Sequence, residues 1–322
     1  MKGEVFKALV EAARTGEPVA LGIISGVKGS SPQKLGAKAL FYTDGRIEGT
    51  LGGGCLEAEI QRRAVESLLS GKPATFDLLL DHDFGWDDGL ICGGKVEGLI
   101  LPNVQKLGPE FWRPLLERNH ALSWGVTKEF SLANETGTST EAKWLYRETV
   151  SPPWTFWIAG GGHIAQAVAP LALQLDFQVT VFDDRPSLVN HQFFPSGAAL
   201  KSAVWEQLLA EPLPEGPAFG LIVTRGHKHD ALVLKDWIRK PFLFLGMIGS
   251  TRKARTIFEH FVAERIATPQ ELQHVACPVG IRIGSSSVME IAISIMAQFI
   301  DKRAQMRGGS ESRVHPAGAT KG

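Results

Sequence analysis

The chain is 322 residues long, 44% hydrophobic and 21% charged, with 34 basic residues against 34 acidic ones and a formal net charge of zero. That balance, with no basic block, gives no electrostatic basis for binding nucleic acid or an anionic membrane, and it leaves a small molecule or a protein as partner. No apolar run approaches a membrane span, and the N-terminus MKGEVFKALVEAARTGEP carries acids and lacks the apolar core of a secretory signal. Cys55, Cys92 and Cys277 are an odd, widely spaced set in a chain large enough to need no disulfide framework, so a reducing, cytoplasmic setting is expected.

In chain order, Val5, Phe6, Leu9, Val10 and Ala13 recur at helical spacing and are stopped by Gly16 and Pro18, after which PVALGIISG reads as a strand. GAKALFYTDGRIEGTLGGG predicts a hairpin turned at Asp44-Gly45. After Gly54 the period changes: Leu56, Ile60, Ala64 and Leu68 share one face of a helix closed by Gly71 and Pro73. ATFDLLL and KVEGLILP add two strands with DHDFGWDDGLICGG between them, so residues 1–103 form a small α+β domain. Residues 104–152 hold helical fragments and the polar, turn-rich SLANETGTSTEAKW, and they are assigned as a linker or insertion.

From Trp154 the text becomes regular. WTFWIA, FQVTVF, FGLIVT and FLFLGMI alternate with helical stretches, the pattern of βαβ units in a parallel sheet. Thr268 to Glu271 and Ser287 to Glu290 have the spacing of capping boxes, and the helix VMEIAISIMAQFI, apolar nearly all round, is expected to be buried. The overall class is α/β: a C-terminal parallel-sheet domain over 153–304 preceded by the smaller α+β domain, with a polar tail at 305–322 expected to be disordered.

Gly160-Gly161-Gly162-His163-Ile164-Ala165 follows a strand, opens a helix, and is followed about twenty residues on by Asp183 and Asp184. Gly160 suits a tight turn, Gly162 lets backbone approach a diphosphate, and Ala165 lets helix and strand pack closely; the strand-end acid can accept from ribose hydroxyls. Together these predict a Rossmann-like core holding a nucleotide or another phosphate-bearing ligand. Arg185 can bind a phosphate or pair with an acid. TRGHKHD places His227 and His229 at the same sheet edge, as acid-base groups, phosphate donors or metal ligands, with Asp230 as a helix N-cap. Arg252 and Lys253 in MIGSTRKAR are either an anion cradle or a solvated basic face.

In GTLGGGCLEAE, Gly52, Gly53 and Gly54 offer backbone amides ahead of a helix whose first turn carries Cys55 and Glu57. The dipole there favours a thiolate, suited to binding a soft metal or accepting sulfur, and Glu57 can bind a ligand or offset the dipole. Cys92 stands beside Gly93 and Gly94 just ahead of a strand. Against these roles stands a buried structural thiol at either cysteine; Cys277, beside Pro278, is read as structural.

The chain resembles the XdhC/CoxI family of xanthine dehydrogenase accessory proteins. The first half carries SGVKGSSPQKLGAKALF, GTLGGGCLEAEI and CGGKVE; the second carries IAGGGHIAQAVAPLALQLDFQVTVFDDR, VTRGHKHD, GMIGSTRKAR and CPVGIRIGSSSVMEIAISIMAQ. The resemblance implies a maturation factor rather than a metabolic enzyme. Such a factor binds molybdenum cofactor in its molybdopterin form, promotes its sulfuration with a cysteine desulfurase, and delivers it to xanthine dehydrogenase or a related molybdenum hydroxylase. It also implies a homodimer, and a contact of Cys55 or Cys92 with molybdenum or with the sulfur being relayed. The alternative is an NAD(P)-dependent oxidoreductase using the glycine turn and Asp183. One departure stands out: Gln33 occupies the place where the family usually has arginine, leaving Lys34 or Lys38 to supply a phosphate contact.

Overall fold

The computed structural model describes residues 2–29, 31, 33–80, 94–135 and 144–307. The chain divides between Pro152 and Pro153 into two compact units.

The first unit starts with α1 (Lys2–Thr15), β1 (Val19–Lys28), β2 (Lys38–Tyr42), β3 (Ile47–Gly49), α2 (Gly54–Ser70), β4 (Ala74–Leu80) and β5 (Gly94–Leu101). The strands form an antiparallel sheet in the order β3-β2-β1-β5-β4. Central β1 reads as a continuous apolar run because both of its faces are covered. Val19, Leu21 and Ile23 join Phe6 and Leu9 of α1, whereas Ala20 and Ile24 join Leu56, Ile60 and Ala64 of α2. The hairpin turns at Asp44-Gly45 as expected, with Gly45 at φ 91° and the Asp44 carboxylate accepting from the Arg46 amide at 3.0 Å. Gly71 ends α2 in the left-handed region at φ 67°.

Residues 104–152 carry a 3-10 turn (Val104–Leu107), α3 (Pro109–Glu117), β6 (Leu122–Thr127), β7 (Leu132–Glu135) and β8 (Trp144–Val150), the strands pairing antiparallel as β7-β6-β8. Trp112, Trp124 and Tyr146 from this segment are fully buried in the core that also takes Phe6 and Leu9 of α1. Residues 136–143 and 308–322 lie outside the described residues, and with them most of the expected tail.

The second unit runs β9 (Trp154–Ala159), α4 (His163–Gln174), β10 (Phe177–Asp183), β11 (Ala199–Ser202), α5 (Trp205–Leu209), β12 (Ala218–Ile222), α6 (His227–Trp237), β13 (Phe244–Met247), α7 (Thr251–Ala263), α8 (Pro269–Leu272), β14 (Val275–Ala276) and α9 (Val288–Arg307). Its six strands are parallel in the order β11-β10-β9-β12-β13-β14. Strand order reverses direction at β9, which has β10 on one side and β12 on the other, so the β9–α4 turn sits where a parallel sheet opens a crevice. Alternate residues feed two cores. Phe156, Ile158, Val179 and Val181 pack with α4 and α9; Trp157, Ala159 and Phe182 pack with α5, α6 and α7. The short strands β11 and β14 have too few residues to show a period in the sequence. Helix α9 corrects an expectation: Ala292, Ile295, Met296 and Phe299 are buried, but Met289, Ile293 and Ile300 are exposed. A helix lying on a sheet buries one face, and an apolar opposite face stays outside unless another element covers it.

Candidate functional site at the strand ends of the parallel sheet

The turn after β9 is built from three glycines with three different reasons. Gly160 has φ 116°, and a Cβ there would lie 2.3 Å from the Val223 carbonyl oxygen, so it is fixed by both conformation and the close passage of the backbone that follows β12. A Cβ on Gly161 would press within 3.3 Å of Leu188. Gly162, the N-cap of α4, has ordinary extended angles (φ −76°, ψ −177°) and no side-chain cap, and a Cβ there would meet nothing within 4 Å. Neither sterics nor backbone strain requires glycine at 162. Its effect is to leave the first amides of α4, which have no intrahelical acceptor, unshielded at the positive end of the helix dipole. Ala165, fully buried one turn on, lets α4 sit close against the sheet, as its position in the motif predicts.

Asp183 closes β10 and is 1% exposed. Its Oδ2 accepts from the Gly161 amide at 2.7 Å and from Arg185 Nη2 at 2.8 Å; its Oδ1 accepts from the Arg185 amide at 2.9 Å and Arg185 Nε at 2.8 Å. Burial opposes ionisation, but these donors outweigh it and hold the carboxyl below the usual aspartate range. The strand-end acid thus braces the glycine turn, and its oxygens are engaged within the chain. Asp184 accepts from Arg225 Nη2 at 2.7 Å, and the same nitrogen lies 3.1 Å from His229 Nε2. His227 is exposed at the first position of α6. Two residues apart on a helix, His227 and His229 point to different sides. Among the described residues, no three His, Cys, Asp or Glu are grouped to hold a metal ion.

Beside this edge lies a network that sequence reasoning missed. Asp230 is fully buried, and the N-cap of α6 is Gly226, which corrects the capping role expected for Asp230. Its Oδ1 accepts from Thr224 N at 3.1 Å and Thr224 Oγ1 at 2.7 Å, and its Oδ2 accepts from Lys253. Lys253 also donates to the Ile248 carbonyl at 3.1 Å, so it ties the ends of β12 and β13 to the start of α7. The only local signal was an acid and a lysine 23 residues apart, which becomes a pair because β12 and β13 are neighbours. Cys277 is a half-buried free thiol here. Burial pushes it up to about 11, against the nearby Lys253 and helped by Asp230.

In the first unit, Gly49, Gly52, Gly53 and Gly54 all have positive φ ahead of α2, and Cβ atoms on Gly53 and Gly54 would meet nothing within 4 Å. Backbone conformation therefore explains the glycines here. Glu57 reaches back from the first turn of α2, accepting from Leu51 N at 2.7 Å and Thr50 Oγ1 at 3.0 Å. It shapes the loop that presents Cys55, a half-buried thiol at the second position of α2. Gly94 opens β5 and is buried, while Cys92 and Gly93 fall outside the described residues. Lys38, a candidate substitute for the arginine missing at Gln33, is instead buried against Glu148 at 2.6 Å and donates to the Gly36 carbonyl at 2.8 Å and Tyr146 Oη at 3.2 Å. Lys34 is exposed.

Comparison with known proteins gives this architecture a lineage. Residues 156–299 match the model described as the XdhC Rossmann domain, and residues 12–83 match that of the XdhC and CoxI family, together more than half of the chain. The chain is 24% identical to a Bacillus subtilis protein described as a probable xanthine dehydrogenase subunit, over 90% of this chain and 94% of the relative. It is 24% identical to the molybdenum cofactor insertion chaperone PaoD of Escherichia coli, over 93% of this chain and 88% of the relative. A crystal structure from Bacillus halodurans, described as a xanthine dehydrogenase, has the same fold: TM-score 0.80, 24% identity, 96% of this chain and 98% of that one. With both motif-bearing halves matched in order, the chain belongs to the XdhC and CoxI family.

Proposed function

We propose that the protein is an accessory factor for a molybdenum hydroxylase such as xanthine dehydrogenase: it binds molybdenum cofactor, promotes its sulfuration, and delivers it to that enzyme. The observation that carries this reading is the start of α4. A glycine that neither sterics nor φ demands leaves helix-start amides open to an anion, and the cargo has a phosphate suited to that position. The relatives named for xanthine dehydrogenase and for cofactor insertion support the same direction. A cytoplasmic site of action belongs to the same reading. No helix among the described residues is long and apolar enough to cross a membrane.

Sulfur handling is assigned to the first unit. Cys55, as thiolate, attacks the outer sulfur of a persulfide on a cysteine desulfurase; that S–S bond breaks, the desulfurase thiolate leaves, and Cys55 carries the sulfur onward. Cys92 is the second candidate for this role or for meeting molybdenum. The Thr50–Glu57 contacts hold the loop that presents Cys55. At the sheet edge, Arg185, Arg225, His227 and His229 surround the end of β10 and the start of α6 and contribute donors for a phosphate-bearing ligand. The NAD(P)-dependent alternative has less support, because the acid that would accept ribose hydroxyls is engaged by Gly161 and Arg185.

The deciding experiment is anaerobic purification from a molybdenum-replete host, with metal quantification and oxidation of released pterin to its fluorescent product. Stoichiometric molybdenum and pterin are expected. Cys55→Ala should retain the pterin while target enzyme matured with it lacks the terminal sulfur. A protein that carries neither molybdenum nor pterin and binds nicotinamide nucleotide in titration would overturn the reading in favour of the oxidoreductase.

A further inference from the structure

Asp183, Asp184 and Asp230 stand at the carboxyl edge of the parallel sheet, and they are held differently. Asp183 accepts from the Gly161 and Arg185 amides and Asp230 from the Thr224 amide, so a buried carboxylate fixes each of the loops after β10 and β12. Asp184 accepts from no backbone amide among the described residues. Its carboxylate meets Arg225 Nη2 at 2.7 Å, with Arg185 Nε 4.0 Å away, and the paired side chains are 42% exposed at Arg225 and 19% at Asp184. Asp184 follows β10 and Arg225 follows β12, and these strands flank β9 in the sheet, about 10 Å apart. The pair therefore joins the loops on either side of the strand that leads into the glycine turn. A ligand entering the crevice at the end of β9 meets this bridge.

The bridge braces nothing that the two buried acids leave loose, and ion pairs with this much exposure contribute little to stability. Its effect is to occupy Arg225. A guanidinium is a fork of N–H donors with no acceptor. In Arg225, Nη2 donates to Asp184 and, at 3.1 Å, to His229 Nε2, whereas Nε and Nη1 have no acceptor among the described residues. Asp184 thus uses one hydrogen bond of a group built for two. A phosphate carries roughly 1.5 to 2 negative charges near neutrality and takes a guanidinium through two parallel bonds. Exchange of Asp184 for a phosphate is therefore favourable, while exchange for a ligand carboxylate trades like for like. The released Asp184 keeps the Arg185 guanidinium beside it, so its charge is not left alone. Gly226, next after Arg225, starts α6 without a side-chain cap, and a Cβ there would meet nothing within 4 Å.

We propose that Arg225 and Asp184 form a latch across the end of β9: the chain's own carboxylate holds Arg225 in the absence of ligand, and a phosphate-bearing ligand opens the latch by taking Arg225 in its place. The latch selects phosphate over carboxylate. It rests on the reading of this edge as a phosphate site and adds how that site is guarded. Titration of the full chain with inorganic phosphate, followed by NMR, tests it. Asp184→Asn should bind phosphate roughly fivefold more tightly than wild type, the ratio for releasing a partly exposed pair, and should melt with the wild type. Arg225→Met should bind several-fold more weakly. In the double variant the gain from Asp184→Asn should vanish, because no guanidinium is left to release. An equal gain with and without Arg225 would make Asp184 a plain repulsive charge and overturn the latch. Acetate displacing phosphate at equal concentration, or a lower melting temperature in Asp184→Asn, overturns it too. If Gly162→Ser weakens phosphate binding and neither latch variant changes it, the latch falls and the phosphate reading of α4 stands. If no form binds phosphate, both fall.

Discussion

Helices α4 and α7 start from the same edge of the same parallel sheet with nearly the same backbone, yet they start differently. Ser250, at φ −85° and ψ 159°, caps α7 by accepting from the Lys253 amide. Gly162, at φ −76° and ψ −177°, leaves α4 uncapped. Serine would fit at 162, since a Cβ there meets no atom within 4 Å. An N-cap serine in place of glycine is worth a few tenths of a kcal/mol, so α4 forgoes a modest stabilisation that α7 takes. Forgoing it makes sense where the amides are reserved for a ligand. The comparison separates glycines that the fold requires, such as Gly160, from Gly162, which neither sterics nor backbone conformation requires.

The largest expected effect tests that separation. Gly160→Ala should cost about 3 kcal/mol or more in denaturant unfolding, because it combines a strained φ with a clash against the Val223 backbone just after β12. Gly162→Ala should stay within about 1 kcal/mol of wild type; equal costs would erase the distinction. Next, Asp183→Ala should destabilise the second unit by about 2 kcal/mol, since it leaves the Gly161 amide and Arg185 without their acceptor. The carboxyl is held below its ordinary range, so its contribution is present above the unfolded-state value near 4 and is lost as pH falls through the lower folded value. Melting curves across acidic pH should show that loss in the wild type, and a shallower dependence in Asp183→Asn. Smaller still, Ser250→Ala should lose about 1 kcal/mol. Gly162→Ser should raise the melting temperature slightly while weakening phosphate-ligand binding measured by calorimetry. Unchanged affinity in Gly162→Ser would mean that the α4 amides do not serve a ligand.

Local signals in the sequence located these features but not their partners. The Asp44-Gly45 hairpin, the α2 face of Leu56, Ile60 and Ala64, and the strand-turn-helix at Gly160 were legible because each depends on residues within a few positions of one another. Asp183 as an acceptor for ribose is an incomplete description, because its donors, Gly161 and Arg185, come together only once β9 and β10 pair. Asp230 looks like a cap from its neighbours; it is a buried brace because α7 brings Lys253 to it. Lys38, from a motif with a phosphate contact in prospect, is taken by Glu148 of a segment whose short strands show no period.

The amino-acid sequence by itself determined the two-part α/β organisation, the place of the glycine turns and the family, because periodicity and dihedral preference act over short stretches of chain. Tertiary structure decided which charges are spent on bracing and which amides stay open. It also decided which half of α9 faces out, since the burial of an apolar helix depends on what packs against it rather than on how apolar it is.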